Sequence, residues 1–99
     1  MVSFKQGDLI KIENLKDIFV VVSKNYFNAT GMAMLCPVVK KTFSDPLHLE
    51  VNYKNKKWFA MCEQVRMFDL NFRGFSHQGE ITYPEIINIT DAIQSIFDY

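Results

Sequence analysis

Beyond Arg73 the chain has neither lysine nor arginine; from Gly74 to Tyr99 its only charged side chains, histidine aside, are Glu80, Glu85, Asp91 and Asp98. The formal net charge of zero hides this asymmetry. Residues 1–73 carry eleven basic groups against seven acidic ones, net +4, a balance that suits an anionic partner. Long apolar runs are missing too. None reaches the 18 residues that a membrane-crossing helix needs, and the Met1 end has no basic segment followed by an apolar stretch. A cytoplasmic protein with no membrane partner is therefore expected.

Cysteine is scarce. Cys36 lies in the apolar run Met32 to Cys36 and Cys62 in Trp58 to Cys62, so both are expected as buried free thiols of strands, too far apart in the chain for zinc-ligand spacing. There is no Cys/His metal set, no glycine-rich phosphate loop and no nucleophile elbow, so no metal and no cofactor is expected. Glycine and proline, four and three residues, are too few for a linker or a low-complexity segment. A chain of 99 residues buries roughly 60–65% of its unfolded surface, enough for one core, and residues 1–99 read as a single domain.

What is present reads as a mainly β chain with one helix. Leu9 to Glu13 and Ile18 to Val22 are strand-like, the second a β-branched run of the kind buried on both faces, with a turn at Asn14 to Asp17. Lys24 to Gly31 reads as loop, Met32 to Val38 as a third strand interrupted by Pro37, and Ser44-Asp45-Pro46 as a turn. Leu47 to Val51 and Lys57 to Met61 give two more strands around a polar hairpin loop, Asn52 to Lys56. Five short, near-sequential strands argue for a small, strongly curved antiparallel sheet or barrel. Tyr83-Pro84-Glu85 marks a helix start, and Ile86, Ile89, Ile93, Ile96 and Phe97 form one apolar stripe, so a helix over Pro84 to Phe97 should pack on the sheet.

His48 and His77 offer an acid–base pair in principle, since imidazole shuttles protons near neutral pH; two isolated histidines carry little signal, and a strand residue with its partners satisfied is the simpler reading of His48. Nine Phe, four Tyr and one Trp are a rich aromatic supply. Some flank cations, as in Tyr53-Lys54, Lys57-Trp58 and Lys41-Thr42-Phe43, the combination that holds single-stranded nucleic acid.

One ordered set of short motifs spans most of the chain. Gln6 to Ile10, Val20 to Ser23, Tyr26-Phe27-Asn28, Thr30-Gly31-Met32, Cys36-Pro37 and Glu63 to Arg66, followed by Asp69 and Arg73, together resemble the MazF/PemK toxins. The resemblance implies an SH3-like small barrel of the MazF/PemK/CcdB kind with a C-terminal helix, α+β and mainly β. It also implies a homodimer that cuts single-stranded RNA as a metal-independent endoribonuclease and is silenced by the extended tail of an antitoxin.

In that family an Arg at the start of the second strand and a Thr after the Pro-containing third strand stabilise the phosphate as the ribose 2′-hydroxyl attacks it. Here Asp17 falls on the Arg and Val39 on the Thr, and the loop before the second strand is about ten residues shorter than usual. Lys16, Lys40 and Thr42 are near enough in sequence to substitute. The family's groove-lining segment corresponds to Glu63, Gln64 and Arg66, and with Lys16, Lys40 and Lys41 these are the expected RNA contacts. The simpler reading of that segment pairs Arg66 with Asp69. A lost transition-state donor costs about 3–4 kcal/mol. The substitutions therefore leave two expectations, an impaired RNA-cutting toxin or a non-catalytic dimeric module that binds nucleic acid or a peptide.

Overall fold

The computed structural model describes residues 4–97, and Asp98 of the acidic segment lies outside them. Seven strands, β1 (Asp8–Ile12), β2 (Ile18–Val21), β3 (Met32–Val39), β4 (His48–Tyr53), β5 (Lys56–Met61), β6 (Arg66–Asp69) and β7 (Phe75–Glu80), form one antiparallel sheet. Its order is β4-β5-β3-β2-β1-β7, with β6 also paired to β3. The helices are α1 (Asn25–Asn28) and α2 (Tyr83–Ser95). The expected mainly β fold, a strongly curled antiparallel sheet with one C-terminal helix, is what the chain forms.

The curl follows from the composition of the central strands. Leu9, Ile10, Phe19, Val20, Val21, Leu35 and Cys36 are all at most 1% exposed, so adjacent residues pointing to opposite faces are both buried. One face packs Leu9, Val20, Val38 and Ala60 against Ile89 of α2; the other packs Ile10, Phe19, Val21 and Leu35 under Leu70, Phe68 and Phe75. Tyr53 at the end of β4 donates from its hydroxyl to Gln78 Oε1 of β7 at 3.3 Å, which draws the two outermost strands of the order toward each other.

Pro37 sits inside β3 rather than interrupting it. Met34 O accepts from Val22 N, so the even-numbered residues of β3 turn their backbone groups to β2 and the odd-numbered ones turn theirs outward. On that outer side β6 covers Met32 to Leu35 and β5 covers Val38 and Val39. The missing N–H of Pro37 falls at the change of partner, where no ladder bond is lost.

Several boundaries differ from the sequence reading. Lys24 to Gly31 contains the four-residue α1, not loop alone. The β4–β5 hairpin closes through only Lys54 and Asn55, both at positive φ (52° and 60°), as a two-residue turn matched to strand twist. β6 and β7 are additional strands. Thr82 caps α2 in a reciprocal capping box with Glu85, and Pro84 lies in the first turn. Ile89 is buried as expected, but Ile96 and Phe97 are 43% and 75% exposed past the end of α2. Phe97 instead borders an open apolar notch of about 250 Å³ with Val22, Met34 and Ile93. Cys36 and Cys62 are buried and free, as expected.

Candidate nucleic-acid interface

Asp17 immediately precedes β2 and Val39 ends β3, neighbouring antiparallel strands in which Ile18 is opposite Val38. Asp17 is exposed and Val39 half-buried. Lys40 follows the end of β3, and its ammonium lies 5.4 Å from the Trp58 ring. The indole Nε1–H of Trp58 is buried without a hydrogen-bond partner among the described residues. Lys16 and Lys41 are exposed.

The face that carries Phe19 and Leu35 also carries Arg66, because Leu35 is opposite Arg66 across β3 and β6. The Arg66 guanidinium stands 5.9 Å from the Phe19 ring and 5.4 Å from Phe68, and Arg73 stands 5.5 Å from the same Phe68. Phe19 and Phe68 meet edge to face at 5.3 Å. Arg66 thus lies over aromatic rings rather than in an ion pair with Asp69, whose Oδ1 accepts from Asn71 N. Both arginines, with Phe68 and the 87% exposed Phe72, line an open cavity of about 440 Å³. Arginine forks beside aromatic rings suit phosphate, and an exposed phenyl offers a stacking surface for a base. Arg73 and Phe72 were not singled out as contacts in the sequence, where nothing shows that β6 folds back to put them beside Arg66.

Thr42 and Glu63 gather instead around His48. The imidazole side chain is 1% exposed; its Nε2 lies 2.8 Å from Glu63 Oε2, and its Nδ1 lies 3.0 Å from both Thr42 Oγ1 and Phe43 O. Hydrogen bonding to Glu63 raises the His48 pKa above the ordinary imidazole value; the Phe43 carbonyl adds to this and burial opposes it. His48 is the satisfied strand residue of the simpler reading. It has no common partner with His77, which reaches Asp8 Oδ1 at 3.5 Å, so the two histidines do not form an acid–base pair. Gln64 is exposed beside Glu63. The Cys36 thiol is held well above the usual thiol range by its hydrogen bond with Cys62 and by burial.

The chain is thus a small curled antiparallel sheet with one C-terminal helix, and its arginine–aromatic cavity borders β6, which pairs with Met32 to Leu35 of β3. The family model described as PemK-like, MazF-like toxin of type II toxin–antitoxin system matches residues 8–97, and the chain belongs to that family. Among solved structures, the chain is similar to that of MazE–MazF from Deinococcus radiodurans, with a TM-score of 0.85, 17% identity and 98% of each chain covered. It is also similar to an endoribonuclease from a Mycobacterial species (TM-score 0.79, 16% identity, 98% and 93% covered). A Mycobacterial endoribonuclease in complex with its cognate antitoxin aligns at 0.81 and 13% identity, with 96% and 95% covered. No curated protein matches by sequence. Among the described residues no helix is long and apolar enough to cross a membrane.

Proposed function

We propose that this chain is the toxin of a type II toxin–antitoxin pair and acts on single-stranded RNA in the cytoplasm as a weakened endoribonuclease. The observation that carries the reading is the family match over residues 8–97, joined to the Arg66–Arg73 aromatic cavity on the face that also bears Phe19. RNA would lie along that cavity, with phosphates on the two arginines and a base on Phe72. Its scissile phosphate would pass the ends of β2 and β3.

There Asp17 brings a carboxylate where the family places an arginine. At 4 Å from a phosphate it adds about 1 kcal/mol of repulsion in bulk water and about 4 kcal/mol near a protein surface. Together with about 3–4 kcal/mol for a missing transition-state donor, this slows cleavage by several orders of magnitude. Arg66, beside Phe19 and Phe68, offers a cation on the face that bears Phe19, and we assign it the phosphate contact in place of Lys16 and Lys40. A homodimer, assembled through surfaces that include the exposed Phe97, and an antitoxin tail lying along the same cavity complete the proposal.

The test is cleavage of a long, fluorescently labelled single-stranded RNA without added metal, by the wild type and by an Asp17→Arg/Val39→Thr variant. Slow cutting by the wild type and fast cutting by the variant is the expected result. Cutting by the variant alone would reduce the natural protein to an RNA-binding module. Failure of both to cut or to bind RNA would overturn the reading.

A further inference from the structure

At the opposite end of the sheet order, β7 runs antiparallel to β1 with a fault in its register. Asp8 is opposite Glu80 and Leu9 opposite Gly79, but Ile10 is opposite His77, so Gln78 is an extra residue. Such a bulge re-aims the side chains beyond it. Opposed residues share a face, as do residues two apart in one strand, and so the bulge places His77 on the face of Asp8 and Glu80, where Gln78 would otherwise stand. Two carboxylates directly opposed across a strand pair repel each other unless a cation joins them.

Asp8 is the informative residue. Its side chain is 4% exposed, and one oxygen, Oδ2, accepts from Lys5 N at 3.0 Å. The other, Oδ1, is buried with no hydrogen-bond partner among the described residues. It borders an open cavity of about 370 Å³ lined by Phe4, Lys5, Asp8, His77 and Glu80. A buried carboxylate oxygen left without a donor is destabilising, a penalty that a ligand at that oxygen removes. His77 Nε2 is 3.5 Å from Oδ1 without making a hydrogen bond to it, and donor atoms of Asp8, His77 and Glu80 lie within 4.8 Å of one another. Two ligands 2.0–2.1 Å from a tetrahedral Zn²⁺ stand about 3.3 Å apart, close to the 3.5 Å between His77 Nε2 and Asp8 Oδ1.

We propose that Asp8, His77 and Glu80 form a binding site for a divalent transition-metal cation of the zinc type. One imidazole nitrogen and two carboxylate oxygens suit Zn²⁺ better than Mg²⁺ or Ca²⁺, which favour all-oxygen shells. The Lys5 ammonium, 3.4 Å from Glu80 Oε2, occupies the electrostatic place of the ion in its absence. Lys5 is more than half exposed and free to swing into solvent as the cation enters. Three protein ligands leave a fourth position open to water or to a donor from another molecule. The bound ion ties β7, the last strand of the sheet, to β1.

Titration calorimetry of the metal-free full chain with Zn²⁺, followed by thermal unfolding, tests the site. One equivalent should bind, and Zn²⁺ at about 100 times its Kd should raise Tm by about 10 °C. His77→Ala and Glu80→Gln, both at partly exposed side chains, should each weaken binding at least about tenfold while leaving the metal-free fold intact by circular dichroism. Lys5→Met should tighten it. Absence of saturable Zn²⁺ binding, or binding equal in wild type and both ligand variants, overturns the site. A plain Asp8–His77 ion pair would show itself by a lower metal-free Tm in His77→Ala and no response to Zn²⁺.

Discussion

Replacing Glu63 by Gln removes the charged partner of a buried imidazole at nearly constant volume. His48 is 1% exposed in its side chain and contacts Glu63 at 2.8 Å, so the folded protein favours the protonated ring and raises its pKa. A group with a raised folded pKa contributes stability that is fully present below its unfolded value, near 6.5 for histidine, and is lost as pH rises through the folded value. Each unit of elevation is about 1.4 kcal/mol. A hydrogen bond to a charged group contributes about 1.5–3 kcal/mol; Glu63 is 36% exposed, and solvent screening brings the expected loss to about 1.5 kcal/mol at pH 6. For a domain of this size that is a Tm decrease of about 6–10 °C. Calorimetric scans from pH 5.5 to 9 should show the wild-type Tm falling as pH rises above 6.5. The Glu63→Gln profile should be flatter and should meet the wild-type curve at high pH. Parallel profiles across the range would refute the assignment of a charged pair and leave His48 neutral in the folded state.

Two further outcomes follow from the packing and from the arginine cavity. Ile89, 1% exposed at the centre of α2, should cost about 3–4 kcal/mol when truncated to Ala, measured by urea unfolding with an unchanged m-value; a loss under about 1 kcal/mol would mean that α2 does not seal the sheet. Arg66→Ala should weaken single-stranded RNA binding and reduce the slope of log affinity against log salt by about 0.7, read by fluorescence anisotropy; an unchanged slope would remove Arg66 from the phosphate contacts.

The fold was legible where composition repeats itself. Ile18 to Val22 could only be a strand buried on both faces, and the stripe headed by Ile86 and Ile89 could only be a helix lying on it. β7 escaped because Ser76, His77, Gln78 and Gly79 have neither β-branched bulk nor alternation, and the strand exists by pairing with β1, distant in sequence. Exposure of Ile96 and Phe97 was hidden as well, since periodicity gives a helix its apolar side but not the point at which the sheet beneath it ends. At the candidate site, Asp17 and Val39 were recognised together, and they flank the opposed pair Ile18 and Val38. Thr42 was chosen for its nearness in sequence to the family's catalytic position and Glu63 for its motif, yet both turn to His48 at the start of β4. Asp8, His77 and Glu80 were not legible as a set, because Asp8 lies far from the other two in sequence and the pairing of β1 with β7, with its one inserted residue, brings them together.

The pairing of β7 with β1 also sets a schedule. β1 finds β2 within a dozen residues, a contact that forms early because the loop to be closed is short. Its other neighbour is separated from it by most of the chain. While the polypeptide is still being made, β1 waits with one edge bare, and α2 has yet to cover its face. The sheet is therefore complete only after β7 and α2 have been made, and any activity that needs the finished sheet waits for them.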